Sequence, residues 1–332
     1  MALKAKSEFK RDQGNIGLRE MVKVFLSANP EKRFTARQIG DFILSNYPEF
    51  CEKKKLKSKV IESDSHLVQQ FVAEIGANRP EIQKLYPEIK TTESRPRMYY
   101  WSLKSEEDQV SDIDKGGAFK IAGDEKSDPD INIREYDLYP VLANYLRNEL
   151  GLFPKRIDEK KSSNRSGPQG NKWLFPDLVA IENLTDGMNR NVKELVSVAG
   201  LIRVKYYSLE VKIILNRSNV RQAFFQSVSN SSWANFGYLV TTEISGEDTI
   251  KELRMLSSLH GIGLMMVNIE DFTESQIIIP AKERIDIDLN TCSRLAEENK
   301  DFSEFVKAVR QFHQTGDLNE AWWDGKTEKV QS

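Results

Sequence analysis

The 332-residue chain predicts a mixed α/β protein with a central sheet, preceded by a small helical domain and followed by a helical end. Three observations carry this expectation. Up to about residue 102 the apolar residues recur at helical spacing and finish in a strand–turn–strand pattern. From 132 to 285, strand and helix signals are interleaved, as in a layered α/β domain. Between the two, "SEEDQVSDIDKGGAFKIAGDEKSDPD" is acidic, contains glycine and lacks apolar periodicity, so residues 103–131 read as an acidic flexible linker.

Within 1–102, Ile16, Met21, Val24 and Phe25 mark a first helix that ends at Asn29-Pro30. Thr35 followed by Gln38 is a capping-box pattern, opening a second helix with Ile39, Phe42 and Ile43 on one face and Pro48 closing it. A third helix is expected from about Ser65 to Ile75, with Gly76 as its C-cap. "NRPEIQKLYP" then adds a short helical turn, with Pro80 early, where its missing N–H is harmless. "IKTTESRPRMYYWSL" reads as two short strands around a basic turn. Three short helices and a terminal hairpin describe a winged helix-turn-helix. As a DNA reader, it would use Arg79, Gln83 and Lys84 on or beside the reading helix, and Arg95 and Arg97 at the wing around Pro96. A protein-binding use of the same fold is the competing reading.

From 132 to 285 the predicted order is a helix at about 135–149 ended by Gly151, the strand "FPKRI", the polar loop "DEKKSSNRSGPQGNK" and a strand holding Asp177. A strand at 206–215, a helix from about Asn219 to Asn230, the strand "FGYLVTT", a helix around 247–259 and the strand "IGLMMVNI" follow. Residues 286–332 read as a helical C-terminal extension.

The 39% hydrophobic and 30% charged content is that of a soluble globular protein. No apolar run approaches the ~20 residues of a membrane span, and "MALKAKSEFKRDQGN" has no signal-peptide core. Cys51 and Cys292 stand alone, without CxxC pairing, so neither a disulfide framework nor a zinc finger is supported. A reducing, cytoplasmic setting is expected, with no membrane partner. Net charge is −2 but uneven: residues 1–102 carry 19 Lys/Arg against 13 Asp/Glu. That surplus suits nucleic acid, or simply a solvated basic face.

Two segments place charge where apolar residues belong. "WLFPDLVAIENL" contains Asp177, and "YYSLEVKIIL" contains Glu210 and Lys212. Residues two apart in a strand point to one face, so Glu210 and Lys212 project together while Leu209, Val211 and Ile213 face the other way. Two carboxylates offer hard oxygen ligands for Mg²⁺, a bound metal lowers the pKa of its water, and a lysine can orient that water. The bland alternative is an ion pair on a half-solvated strand, with Asp177 marking a strand end.

"PD" at 176–177 followed by "EVK" at 210–212 resembles the motif of the PD-(D/E)XK nuclease superfamily, and the helix–strand–strand–strand–helix–strand order is similar to that family's core. "EIGANRPEIQKLYPEIKTTESRPRMYYW" resembles the winged-helix part of HrgA-like, restriction-associated proteins. The resemblance implies a restriction-endonuclease-like core, with Asp177 and Glu210 as metal ligands, the Val211 carbonyl as a further ligand and Lys212 as the water-orienting group. It implies Mg²⁺, with Mn²⁺ as a substitute. In "VRQAFFQS", Gln222 and Gln226 match the helix that often carries an auxiliary glutamine. Some members add a glutamate from the first helix, for which Glu135 stands here, although Asn132 and Glu135 also fit a capping box.

The function expected is a Mg²⁺-dependent endonuclease acting on double-stranded DNA, working as a homodimer because two symmetric sites can cut both strands. Lys160, Lys161, Arg165 and Lys172, in the polar loop, are expected to touch phosphate. The alternatives are an inactive nuclease-fold regulator, or a nuclease for RNA or branched DNA. "GPQGNK" lacks Walker A spacing, so no nucleotide cofactor is expected, and there is no GxSxG elbow. His66, His260 and His313 lie far apart with no metal-ligand spacing.

Overall fold

The computed structural model describes residues 16–57, 63–93, 96–114, 119–121, 131–163 and 173–325. The chain divides into two compact units, one made mainly of residues before 110 and the other mainly of residues after 132.

In the first unit, helix α1 (Leu18–Ser27) precedes strand β1 (Phe34–Thr35) and helix α2 (Ala36–Asn46). The capping box forms: Thr35 Oγ1 accepts the Gln38 N–H at 3.2 Å, and the Gln38 side chain accepts the Thr35 N–H at 2.8 Å. Helix α3 (Pro48–Lys57) follows directly. Pro48, expected to close one helix, also opens the next, since a proline at the first helical position loses no hydrogen bond. The polar sequence of α3 shows no periodicity, which is why it escapes a reading by pattern.

Helix α4 (Asp64–Leu85) corrects the expected break at Gly76, for it runs on through Pro80 and is capped only at Tyr86. Ile75 and Ile82, two turns apart, are both buried in the unit's core, and this packing outweighs the loss of one backbone bond at the proline. Asn78 also returns its side-chain amide to the Glu74 carbonyl at 2.8 Å. Strands β2 (Ile89–Thr91) and β3 (Met98–Trp101) form the expected hairpin, and β1 adds to it in the order β1-β3-β2, all antiparallel. Met21, Leu26, Ile39, Ile43, Leu67 and Phe71 fill the core beneath.

The expected flexible linker is corrected in part. Helix α5 (Glu106–Asp114) starts on Ser105, whose Oγ accepts the Asp108 N–H at 3.0 Å, and its acidic first turn suits the positive helix end. Short strands β4 (Phe119–Ile121) and β5 (Ile131–Ile133) pair with each other.

The second unit opens with helix α6 (Glu135–Asn148), strand β6 (Leu152–Arg156) and strand β7 (Leu178–Asn183). Gly151, at φ +65°, makes the turn after α6 that a residue with a Cβ resists. Helix α7 (Arg190–Val198), absent from the expected order, leads to strand β8 (Val204–Leu215). Helix α8 (Val220–Asn230), strand β9 (Phe236–Ile244), helix α9 (Glu247–His260) and strand β10 (Gly263–Met266) come next, with a further strand β11 (Gln276–Ile279).

The six strands form one mixed sheet in the order β11-β10-β9-β8-β7-β6. β6, β7 and β8 are mutually antiparallel neighbours; β8, β9 and β10 run parallel, with α8 and α9 as crossovers; β11 is antiparallel at the edge. Helices α8 and α9 pack Val220, Phe224 and Leu253 against Leu215, Leu239 and Leu264.

Helices α10 (Leu289–Glu298) and α11 (Lys300–Thr315) confirm a helical C-terminal region, but not an appended one. Phe302, Phe305, Phe312 and Trp323 share a core cluster with Trp233, Val179 and Ile181, so these residues are part of the second unit's interior. Among the described residues no helix is long and apolar enough to cross a membrane.

Candidate active site

The central strands bring three of the predicted residues together. Leu178 of β7 pairs with Leu209 of β8, which sets Asp177 beside the start of the "EVK" segment. Asp177 lies one residue before β7 and is tied to β8 from both ends: its N–H donates to the Leu209 carbonyl at 3.0 Å, and its Oδ2 accepts the Val211 N–H at 2.7 Å. The carboxylate is therefore held against the strand that carries Glu210 and Lys212.

Glu210 is 2% exposed. Its Oε1 accepts from Lys212 Nζ at 2.7 Å and its Oε2 from Asn230 Nδ2 at 2.9 Å. Lys212 Nζ also donates to the Val211 carbonyl at 2.9 Å and lies 4.0 Å from Glu135 Oε2. Burial, with Asp177 adding repulsion, pushes the Glu210 carboxyl up to about 8 despite its bonds to Lys212 and Asn230. Burial also raises Glu135; Lys212 opposes the shift and Asp177 adds to it. For Lys212, burial opposes the charge, but Glu210, Glu135 and Asp177 outweigh it and raise its pKa. Lys212 thus remains charged inside an acidic nest.

Glu135 joins this group as the first residue of α6, and the expected cap from Asn132 does not set the helix start. The residue before α6 is Arg134, whose N–H is taken by Asp137 Oδ2 at 2.8 Å, leaving Glu135 to face the cluster. Gln222 is exposed and Gln226 buried on α8; a contact from this helix to Glu210 comes from Asn230, one turn beyond Gln226.

Three members of the cluster were not among the predicted site residues. Tyr139 OH donates to Glu135 Oε1 at 3.0 Å and lies 3.3 Å from Asp177 Oδ1. Arg156 stacks its guanidinium over the Tyr139 ring at 3.7 Å, sits 3.6 Å from Asp177 Oδ1 and bonds the Asp177 carbonyl. Asn230 is the third. Spacing signals existed for two of them: Tyr139 follows Glu135 by one helical turn, and 222, 226 and 230 form a single i, i+4, i+8 row. Burial, then Asp177 and Glu135, drives the Tyr139 phenol far above its ordinary value, so it acts as a fixed neutral donor.

A cleft of about 480 Å³ borders the cluster, lined by Tyr136, Tyr139, Lys155, Arg156, Lys160 and Lys161 among others. Lys160 is exposed there, whereas Lys161 is paired with Asp301 at 2.9 Å. Arg165 and Lys172 lie outside the described residues.

The candidate DNA-contacting residues of the first unit do not form an outward-facing row. Arg79 and Arg97 both bind the Glu93 carboxylate, at 3.0 and 2.8 Å. Gln83 turns toward β2, donating to the Ile89 carbonyl at 3.3 Å. Only Lys84 among these four is exposed, at the end of α4. These contacts correct the expectation that Arg79 and Gln83 point at a partner: their helix packs that face on the hairpin. Arg95 lies outside the described residues.

Among the described residues, no group of three or more His, Cys, Asp or Glu is arranged as a ready metal cage. The donor chemistry nonetheless fits a small hard cation. Asp177 is held on the Val211 N–H, and Lys212 Nζ bridges Glu210 and the Val211 carbonyl, so hard oxygen donors gather on this stretch of strand. Admitting a cation requires Lys212 to release the Val211 carbonyl. Comparison of the chain with protein-family models, curated proteins and solved structures returns no match.

Proposed function

We propose that the protein is a divalent-metal-dependent endodeoxyribonuclease of the PD-(D/E)XK type, with Asp177, Glu210 and Lys212 at its centre and a winged-helix DNA reader in its first unit. One observation carries the reading: a nearly inaccessible glutamate, raised to about 8, shares its nest with two further acids while a charged lysine sits between them. A structural core gains nothing from such an acid excess, because each buried charge costs desolvation. The order α6-β6-β7-β8-α8-β9, with α7 inserted between β7 and β8, supports the same reading.

Asp177, Glu210 and the Val211 carbonyl would hold Mg²⁺ or Mn²⁺, which supplies Lewis-acid stabilisation of phosphate charge and an acidified water. The residues of the chain supply the rest. Lys212, anchored on Glu210, would orient the attacking water; the water's oxygen forms the new bond to phosphorus and gives one proton to solvent, as the bond to the leaving sugar oxygen breaks in line and that oxygen takes up a proton from solvent. Asn230 fixes the second Glu210 oxygen. Tyr139 spaces Glu135 from Asp177, and Arg156 offsets charge beside Asp177.

A second reading has an observation of its own. Both Glu210 oxygens already have partners, which also suits a closed ion pair in an inactive DNA-binding scaffold. Incubating methylated and unmethylated duplex DNA with the protein in Mg²⁺, Mn²⁺ or EDTA separates the two. Metal-dependent strand cleavage supports the nuclease, and intact DNA under every condition supports the scaffold.

A further inference from the structure

Helix α7 is amphipathic, yet none of its nine residues is buried. It is well formed locally: Asn189 caps it through the Asn191 N–H at 2.9 Å, and Arg190 pairs with Glu194 at 2.9 Å. Gly200, at φ +66°, ends it, and the Leu201 N–H returns to the Val196 carbonyl at 3.0 Å. Only Lys193 and Val196 are half-buried within it. Beside them runs an exposed apolar stripe of Val192, Leu195 and Val198, continued by Met188 before the helix and Leu201 and Ile202 after it, with exposures from 41% at Met188 to 89% at Val198. An isolated helix this short is marginal in water, and its stability comes from packing an apolar face.

We infer that this stripe is the face on which a second copy of the chain docks, helix α7 lying antiparallel to its twofold-related mate with Leu195 at the axis. The spacing argues for self-pairing. Val192 and Val198 lie three residues on either side of Leu195, and Met188 and Ile202 lie seven on either side. Reversing the direction of the row therefore sets Met188 on Ile202 and Val192 on Val198, while Leu201 meets the capping residue Asn189. An isologous contact requires this, because residue i must meet j while j meets i. The size agrees. The stripe presents on the order of 500 Å² of apolar surface, at the upper end of what monomers leave uncovered. With its polar rim it approaches the roughly 800 Å² per partner of a stable interface. Charge does not oppose the pairing, since Arg190 and Glu194 neutralise each other on the same helix.

The test is the mass of the full-length protein by sedimentation equilibrium at micromolar concentration. Wild type is expected at twice the 38.1 kDa chain mass. Leu195→Glu, at a position 63% exposed and so harmless to folding, is expected to weaken self-association by on the order of 100-fold. Met255→Glu, on the exposed face of α9, is expected to leave the dimer intact. Leu195→Cys should cross-link to its own copy under mild oxidation, while wild type, with Cys51 buried and Cys292 half-buried, should not. A monomeric wild type, including one that captures a different protein through α7, overturns the inference. So does a dimer that survives Leu195→Glu, or a Leu195→Cys variant that fails to cross-link.

Discussion

Two buried charge clusters, one in each unit, use similar residues to opposite ends. In the first unit, one carboxylate, Glu93, is held by two arginines: Arg79 from α4 and Arg97 from the hairpin. Cations outnumber the acid, Arg79 ties α4 to the hairpin, and Arg97 closes the hairpin's own turn. In the second unit, Asp177, Glu210 and Glu135 surround Lys212 and Arg156, and the acids are in excess. There, burial pushes Glu210 and Glu135 up, so the site carries a standing electrostatic debt. Ion pairs are common to both clusters, and what differs is the sign of the formal charge left over.

The largest effect should come from removing the acid excess. Asp177→Asn and Glu210→Gln are each expected to lower metal-dependent DNA cleavage by on the order of 1,000-fold, read in a plasmid-nicking assay, with the fold retained by circular dichroism. Lys212→Ala comes next. It should lower kcat by about 100-fold while duplex affinity changes little, because an orienting group acts chiefly in the transition state. A loss of stability without any loss of cleavage would place Lys212 among structural clamps like Arg79 instead.

The clamp should behave oppositely. Glu93→Ala strands two arginines, one of them Arg79, only 11% exposed, and should cost about 2–3 kcal/mol of stability in the first unit. Cleavage of short duplex at saturating concentration should survive the change. Arg97→Ala, at a position 37% exposed, should cost no more than about 1 kcal/mol.

The smallest effect is a pH slope. Glu210 holds its proton more tightly in the folded protein than in the unfolded chain, so in EDTA its contribution to stability is fully present below the ordinary carboxylate value of 4.5 and is lost as pH rises toward about 8. Thermal melts of wild type and Glu210→Gln across that window isolate this contribution, and wild type should lose stability relative to the variant as pH rises. A difference that stays constant or runs the other way would contradict the raised Glu210.

Much of this contrast was legible in the sequence on one side and hidden on the other. Asp177, Glu210 and Lys212 announced themselves because a charge inside an apolar run needs a reason, and strand periodicity put the last two on one face. Tyr139, Arg156 and Asn230 were harder to find, since each belongs to an element whose own pattern is ordinary and acts only through a neighbour in space. The helix break at Gly76 was misread because the burial of Ile75 and Ile82, a tertiary effect, overrides the local signal of Pro80. Arg79 and Gln83 looked like DNA contacts for a similar reason: spacing places them on a helix but does not show that the hairpin covers that face. Helix α7 is legible in the sequence too, since Val192, Leu195 and Val198 recur every three residues behind the capping Asn189.

The central claim is that the acid excess around Lys212 is a place for a divalent cation, and Mn²⁺ binding followed by electron paramagnetic resonance tests it most directly. Full-length wild type should take up Mn²⁺ in competition with Mg²⁺, and Glu210→Gln and Asp177→Asn should each lose that uptake while remaining folded. Wild type that binds no Mn²⁺ at millimolar concentration, or a Glu210→Gln variant that binds it as well as wild type, would contradict the account and return the cluster to the role Glu93 plays.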